Sequence, residues 1–258
     1  MIVVFDVGNT NITVGVYQGE SLLTTFRIMS KVARTSDEYG LLLAQFFRQN
    51  KLDIDDIKGV VVASVVPKVM HALTGAIRRY MNREPLIVGA GVKTGMKIKI
   101  QDPRSVGADR IADAVAAFEI YGGPILVIDF GTGTTYDLIS ADGTFMAGVT
   151  APGMRVSAES LWENAAKLPE VEIQKPKSIL AQETVASMQA GIVYGQIGQT
   201  EYIIEKIKEE AKLPNIQVVA TGGLGRLIAE ESQSITTYHQ SLTLDGLRMI
   251  YEKNREEI

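Results

Sequence analysis

The chain has 258 residues, no cysteine and a formal net charge of −4 with the two signs interleaved. Its 46% hydrophobic and 22% charged residues suit a globular protein with a sizeable core, in one large domain or two smaller ones. This composition excludes disulfides, thiolate zinc sites and thiol nucleophiles, and the lack of a basic stripe argues against nucleic acid or an anionic membrane as a partner. No stretch approaches the roughly 20 apolar residues of a membrane span, and the first apolar run lacks the flanks of a signal peptide. A soluble, cytoplasmic protein is expected.

In chain order, Ile2–Val7 is almost wholly apolar and reads as a strand buried on both faces. Asn11–Tyr17 alternates in part, Gln18-Gly19-Glu20-Ser21 reads as a hairpin turn, and Leu22–Ile28 as the third strand. A helix is expected from Ser36, as N-cap with Glu38 behind it, through Phe47. Gly59–Val66 (GVVVASVV) is a buried strand stopped by Pro67; a helix over Lys68–Met81 then carries Ala72, Leu73, Ala76 and Ile77 on one face. A short strand, PLIVG, comes next. Gly107–Tyr121 reads as a helix with Ile111, Val115 and Phe118 on its apolar stripe, ended by Gly122-Gly123-Pro124. A second meander follows: Ile125–Phe130, Thr134–Ile139, an Asp142-Gly143 turn and Phe145–Thr150. Helices over Arg155–Ala166 and Thr184–Lys212, a strand over Ile216–Ala220, a Gly-rich helix start at Gly222-Gly223-Leu224-Gly225 and a helix over Leu242–Asn254 complete the chain.

The two meanders are copies of one pattern. IVVFDVGNTNITVGVYQGESLLTTF, Ile2–Phe26, aligns without a gap on ILVIDFGTGTTYDLISADGTFMAGV, Ile125–Val149, with Asp6 on Asp129 and Gly8 on Gly131. The duplicated unit predicts an α/β protein of two halves, residues 1–115 and 116–258, each a sheet with helices, and a cleft between them. Glycines in the turns Gly8-Asn9-Thr10 and Gly131-Thr132-Gly133-Thr134-Thr135 let backbone N–H groups approach a bulky anion, and the hydroxyls of Thr10, Thr132, Thr134 and Thr135 add donors. Asp6 and Asp129, at the ends of the buried strands, would repel phosphate but can hold a cation such as Mg²⁺, directly or through water. A pair of ordinary Gly/Asn hairpins is the alternative, and the coincidence of both aspartates and both glycines weighs against it. VVATGGLG, Val218–Gly225, is a strand entering a Gly-rich helix start, as suits close approach to the adenosine end of a nucleotide.

These three segments resemble the phosphate-1, phosphate-2 and adenosine motifs of the superfamily of acetate kinase, sugar kinases, heat-shock chaperone ATPases and actin. That resemblance implies two ribonuclease-H-like halves with mixed sheets and an active-site cleft between them. More specifically, the chain resembles the type III pantothenate kinases along its whole length: DVGNTNI, DPRSVGADRIADA, VIDFGTGTTYD, APGM, AAKLP, MQAGIVYG, ATGGL and LTLDGL, with GADR at Gly107–Arg110 the most specific. The resemblance implies phosphorylation of pantothenate by ATP, the first step of coenzyme A synthesis. It implies that Asp109 is the general base and that Gly107, Ala108, Asp109 and Arg110 bind pantothenate. It implies further that Asp6, Val7, Gly8, Asn9, Thr10, Asn11, Ile12, Thr13 and Thr132 bind ATP, that Asp129 binds a monovalent cation, K⁺ or NH₄⁺, and that Thr184 meets the substrate across a homodimer. Chemically, a carboxylate can take the proton of the primary alcohol under attack, and Arg110 can pair with a carboxylate or with phosphate. Without the resemblance, Asp109 and Arg110 would read as a capping and ion pair in the first turn of a helix.

The chain departs from the family pattern in three places. Ile100 stands where a substrate-contacting Tyr is usual, Ala181-Gln182-Glu183 replaces Gly-Lys-Asn before Thr184, and Gly133 replaces an Ala. The first two keep alive a nucleotide-binding accessory protein without turnover; another kinase or phosphatase of the superfamily, or a nuclease, fits the motifs less well. His71 and His239 lack metal-ligand spacing and read as structural or surface residues. Trp162 reads as packing, and the charged end EKNREEI as a solvated helix end. Asp137, matched with Val14 by the ungapped repeat, reads as a surface aspartate at least as readily as a holder of water or a cation.

Overall fold

The computed structural model describes residues 1–255; the last three residues of the charged end lie outside them. The chain divides into two compact units, one made of Met1–Met96, Gln101–Ala116 and the chain from Leu242, the other of Lys97–Ile100 and Ala117–Ser241.

The first unit is built on a five-stranded sheet. Strands β1 (Ile2–Val7), β2 (Asn11–Gln18) and β3 (Ser21–Met29) form the antiparallel meander, and β4 (Gly59–Ser64) and β5 (Leu86–Ile87) add in parallel, giving the order β3-β2-β1-β4-β5. Val3, Phe5 and Val7 point to one face, and Val4 to the other, so both faces of β1 are covered. On the first face lie helices α1 (Ser36–Gln49) and α2 (Pro67–Met81). Leu43 and Phe47 of α1 and Leu73, Ala76 and Ile77 of α2 are fully or almost fully buried there. Each such aliphatic or aromatic side chain contributes about 1.5–3 kcal/mol relative to leaving it exposed. The N-cap of α1 is Thr35, one residue ahead of the expected Ser36: the Thr35 hydroxyl accepts the Glu38 N–H, and the Glu38 carboxylate accepts the Thr35 N–H at 2.7 Å. Glu38 stands three residues after Thr35 and only two after Ser36, so only Thr35 can close this capping box.

The second unit repeats the plan. Strands β6 (Lys97–Ile98), β7 (Ile125–Phe130), β8 (Gly133–Ile139), β9 (Thr144–Pro152), β10 (Gln217–Thr221) and β11 (Thr237–Tyr238) lie in the order β11-β10-β7-β8-β9-β6. Without the edge strand β6, that is the order of the first sheet, with β10 and β11 in the places of β4 and β5. Helix α3 (Ala108–Tyr121) belongs to the first unit as far as Ala116, and α4 (Met154–Asn164), α5 (Thr184–Ala211) and α6 (Gly225–Ala229) belong to the second. Met154 and Ala158 of α4 and Met188, Ile192, Val193 and Ile204 of α5 share one core with Leu126, Ile128 and Tyr136 of the sheet, and Trp162 packs at its margin. The two strand orders make this an α/β protein of two ribonuclease-H-like halves with mixed sheets.

Two features differ from the sequence expectation. The closing helix α7 (Leu242–Asn254) packs on β1 and β4 of the first unit, with Leu244, Leu247 and Ile250 buried against Val4 and Val61. The repeat also carries a compensated shift. Val7 pairs with Ile12 in the first unit but Phe130 with Thr134 in the second, so the turn after β7 is one residue shorter than the turn after β1. The next hairpin restores the register: Gly19-Glu20 lies between the paired Gln18 and Ser21, whereas Ala141-Asp142-Gly143 lies between the paired Ser140 and Thr144. Thr10 therefore corresponds to Thr132, and Asp137 to Gly15 rather than Val14. A register irregularity falls at corresponding points in both copies, at Val16/Tyr17 and Leu138/Ile139.

Candidate active site

In the first unit, β1 brings Asp6 to the sheet's end. Asp6 is opposite Thr13 of β2 and Ala63 of β4 and is partly buried. In the turn that follows, the Gly8 N–H donates to Asn11 O at 3.0 Å, and Asn9 is exposed at its tip. Val7 and Ile12, both expected at the nucleotide, bury their side chains fully in the core, so they anchor the turn and have only backbone to offer a ligand. Asn11 and Thr13, one residue to either side of Ile12, are partly buried on the opposite face.

The expected acceptor segment belongs to the same unit. Gly107 precedes α3, and Asp109 lies in the first turn of that helix, where the helix dipole favours a carboxylate. Asp109 Oδ1 accepts the Arg110 N–H at 2.8 Å and folds back over Gly107: a Cβ on Gly107 would fall 2.3 Å from that oxygen and 3.5 Å from Val65 Cγ1. Val65 in turn donates its N–H to Val7 O at 3.1 Å, directly beside Asp6. Val65 therefore links the strand end that carries Asp6 to the helix start that carries Asp109. One turn further along α3, Asp113 is 2% exposed, a buried carboxylate that sequence reasoning passed over.

In the second unit Asp129 is opposite Thr135 of β8 and Thr221 of β10. Its carboxylate lies among glycine backbones: a Cβ on Gly131 would fall 3.2 Å from Oδ2 and one on Gly222 2.5 Å from Oδ1. Gly222 has φ +93°, and its carbonyl accepts the Tyr238 hydroxyl at 2.9 Å. Thr132 is exposed at the turn. Thr134 is not a turn donor. It faces the core beside Tyr136, is 0% exposed, and its hydroxyl has no hydrogen-bond partner among the described residues. The shorter turn starts β8 at Gly133 and sends Thr134 inward. Asp137 is 2% exposed, which corrects the surface reading; alternation puts it on the Asp129 and Thr135 face of the sheet.

Ile100 and Thr184 also belong to the second unit, Ile100 partly buried and Thr184 exposed as the first residue of α5. His239 is structural, accepting or donating to the Tyr121 hydroxyl at 2.8 Å, and His71 is exposed on α2. Ser30 and Gly153, which contact the two turns from behind, were also passed over. Carrying the repeat four residues beyond Phe26 would have paired them.

Among the described residues no three His, Cys, Asp or Glu side chains gather into a metal cage. Mg²⁺ in phosphoryl-transfer sites takes one or two carboxylates, with waters and substrate phosphates filling the rest. Asp6, partly buried at a strand end with a glycine turn behind it, fits that donor type, and Asp129 is its counterpart in the second unit. No helix among the described residues is long and apolar enough to cross a membrane.

A family model described as type III pantothenate kinase matches residues 2–206. A type III pantothenate kinase from Agathobacter rectalis is 55% identical over 257 residues, covering 100% of this chain and 99% of the relative. Among solved structures, one provisionally assigned to the Baf family of transcriptional activators, from Campylobacter jejuni, superposes with a TM-score of 0.60 at 18% identity, covering 98% of this chain and 99% of the other. The ethanolamine utilization protein EutJ from Carboxydothermus hydrogenoformans gives 0.54 at 14% identity over 96% and 89% of the two chains. At those identities the two structures speak for the fold alone. The family model matches most of the chain and the relative its full length, and the chain belongs to the type III pantothenate kinase family.

Proposed function

We infer that the protein transfers the γ-phosphoryl group of ATP to the primary hydroxyl of pantothenate, giving 4'-phosphopantothenate and ADP for coenzyme A synthesis. The observation that carries this reading is Asp109, a carboxylate in the first turn of α3, linked through Val65 to the strand end holding Asp6. Asp109 takes the proton of the pantothenate hydroxyl as that oxygen bonds to the γ-phosphorus; the bond from phosphorus to the bridging oxygen breaks, and ADP leaves with its electron pair. Gly107, Ala108 and Arg110 hold pantothenate, the guanidinium offering a fork to its carboxylate or to phosphate. Ile100 would offer the substrate no tyrosine hydroxyl, and Thr184 would reach it across a homodimer.

ATP is bound by the Gly8–Thr13 segment through backbone N–H groups and the hydroxyls of Thr10 and Thr13, and by Thr132. Asp6 would hold Mg²⁺ through water and Asp129 a monovalent cation, K⁺ or NH₄⁺. Bound there, these cations would offset the negative charge of the phosphates, a task for which the chain has no P-loop lysine. ATP as donor fits a cytoplasmic site of action.

We also propose a homodimer through α4 and α5. Gly191, Gly195 and Gly198 share a bare face of α5, where a Cβ would meet nothing within 4 Å. That face borders a groove of about 270 Å³ whose lining includes Leu161, and Leu161 and Val185 are 39% and 43% exposed. Such a face lets a second helix approach closely. Sedimentation of the protein should give twice the mass of the chain.

The test of the reaction is ADP release from Mg-ATP on adding pantothenate, with K⁺ present and then replaced by Na⁺. Release that needs both pantothenate and K⁺ supports the full reading. Release indifferent to K⁺ keeps the kinase and removes the cation from Asp129. Protein that binds ATP but releases no ADP would be an accessory protein, with Ile100 and Gln182-Glu183 the residues to restore.

A further inference from the structure

The two glycine turns are braced from behind at corresponding positions, by different chemistry. In the first unit Ser30 follows β3. Its N–H donates to Thr10 O at 3.0 Å and its hydroxyl to Gly8 O at 2.6 Å. In the second unit Gly153 follows β9, and its N–H donates to Thr132 O at 3.1 Å. The registers make these positions equivalent, because Met29 and Pro152 end the third strand of each meander and Thr10 corresponds to Thr132.

The carbonyls they serve are also equivalent. A Cβ on Gly153 would fall 2.4 Å from both Gly131 O and Thr132 O, so the bare backbone presses directly on the second turn. The first turn leaves room for a side chain there, and Ser30 fills it with a hydroxyl aimed at Gly8 O, the counterpart of Gly131 O. Ser30 is 8% exposed.

An anion-binding turn works only if its N–H groups face the ligand. Its carbonyls must then turn away, and a carbonyl turned into the protein needs a donor. Ser30 supplies two donors, one for each of the two carbonyls that flank Asn9.

We propose that Ser30 is a positioning residue of the kinase reaction, its hydroxyl holding the Gly8 carbonyl away from the nucleotide so that the turn presents N–H groups to the phosphates. This rests on the reading of Gly8–Thr13 as an ATP segment. Gly153 has the same task in the second turn, with backbone contact in place of a hydroxyl.

The test is steady-state kinetics on the full protein, varying Mg-ATP and pantothenate separately, for wild type, Ser30→Ala, Ser30→Thr and Asp6→Asn. Removing the hydroxyl leaves an inward carbonyl short of a donor, and Ser30→Ala should raise KM for Mg-ATP about tenfold with KM for pantothenate unchanged. Ser30→Thr keeps the hydroxyl and should return KM for Mg-ATP to within about twofold of wild type. A wild-type KM for Mg-ATP in Ser30→Ala overturns the proposal. So does a Ser30→Ala variant that raises both KM values alike, melts at lower temperature and is not rescued by threonine, since that pattern marks a strand-end bond alone. Asp6→Asn separates the two layers. If it leaves KM for Mg-ATP and kcat untouched, the turn is not the phosphate site and the parent reading fails; if it impairs them while Ser30→Ala does not, only the role of Ser30 falls.

Discussion

The Asp129 carboxylate takes the space that a side chain at Gly222 would need: a Cβ on Gly222 would fall 2.5 Å from Asp129 Oδ1 and 2.6 Å from Phe130 N. With φ at +93°, Gly222 is also in a region that L side chains rarely adopt. The glycine-rich segment after β10 therefore sets the position of Asp129 from the neighbouring strand. In Gly222→Ala the carboxylate must move, and a displacement of about 1 Å in a phosphoryl-transfer site costs about 10²-fold in rate. The expected result is that loss in kcat, with a weakened response to K⁺, and a stability loss of about 1–3 kcal/mol from the strained backbone. Wild-type kinetics in a folded Gly222→Ala variant would show that Asp129 needs no such fixed seat.

Asp109→Asn tests the proton acceptor. The amide keeps the shape and the hydrogen bond to the Arg110 N–H but not the basicity. Turnover should fall by about 10²–10⁴-fold with Mg-ATP affinity, measured by calorimetry, unchanged. Near-normal turnover would remove Asp109 from the chemistry and leave it as the first-turn capping residue that its bond to the Arg110 N–H also describes.

The strands of both meanders were legible because β1 and β7 are almost continuous apolar runs and the strands after them are marked off by turn residues. The strands missed, β6 and β11, have two residues each, as β5 does, but lack the apolar run PLIVG that marks β5. Asp6, Asp109 and Asp129 could be named from motifs, whereas their supports could not. Ser30 makes two hydrogen bonds to its turn and Gly153 one, all after a strand has ended, where no pattern distinguishes a serine that braces a turn from one that faces water. The register shift was invisible for a plainer reason. One residue lost in the phosphate-2 turn is regained in the next hairpin, so an ungapped alignment scores well while mispairing all of β8. That mispairing hid the inward face of Thr134 and the burial of Asp137.

Thr134 gives a direct test of the corrected register. Its hydroxyl is buried without a partner among the described residues, an arrangement that costs free energy and is relieved by an isosteric methyl. Thr134→Val should raise the stability by up to about 1 kcal/mol in urea titration and leave KM for Mg-ATP unchanged. An increased KM would return Thr134 to the list of turn donors.

Glu201 provides a pH-dependent brace away from the reaction. On α5, it accepts the hydroxyls of Ser232 and Ser234 and the Ser234 N–H at 3.3 Å, tying the segment after α6 to the long helix. Burial is the largest single influence on its carboxyl and raises its pKa, but the hydroxyl and amide donors together outweigh it and hold the group below the ordinary glutamate value of 4.5. A depressed folded-state pKa contributes stability that is present above the unfolded value and is lost as the pH falls through the folded one. Glu201→Gln should therefore cost about 1 kcal/mol at neutral pH, a figure reduced for the partial exposure of the group. The difference from wild type should shrink as the pH is lowered below 4.5, where the carboxylate is lost from the unfolded chain first and then from the folded one. Urea titrations of both proteins across that range read it directly, and a gap that stays constant with pH would mean that the serines hold Glu201 by shape and not by its charge.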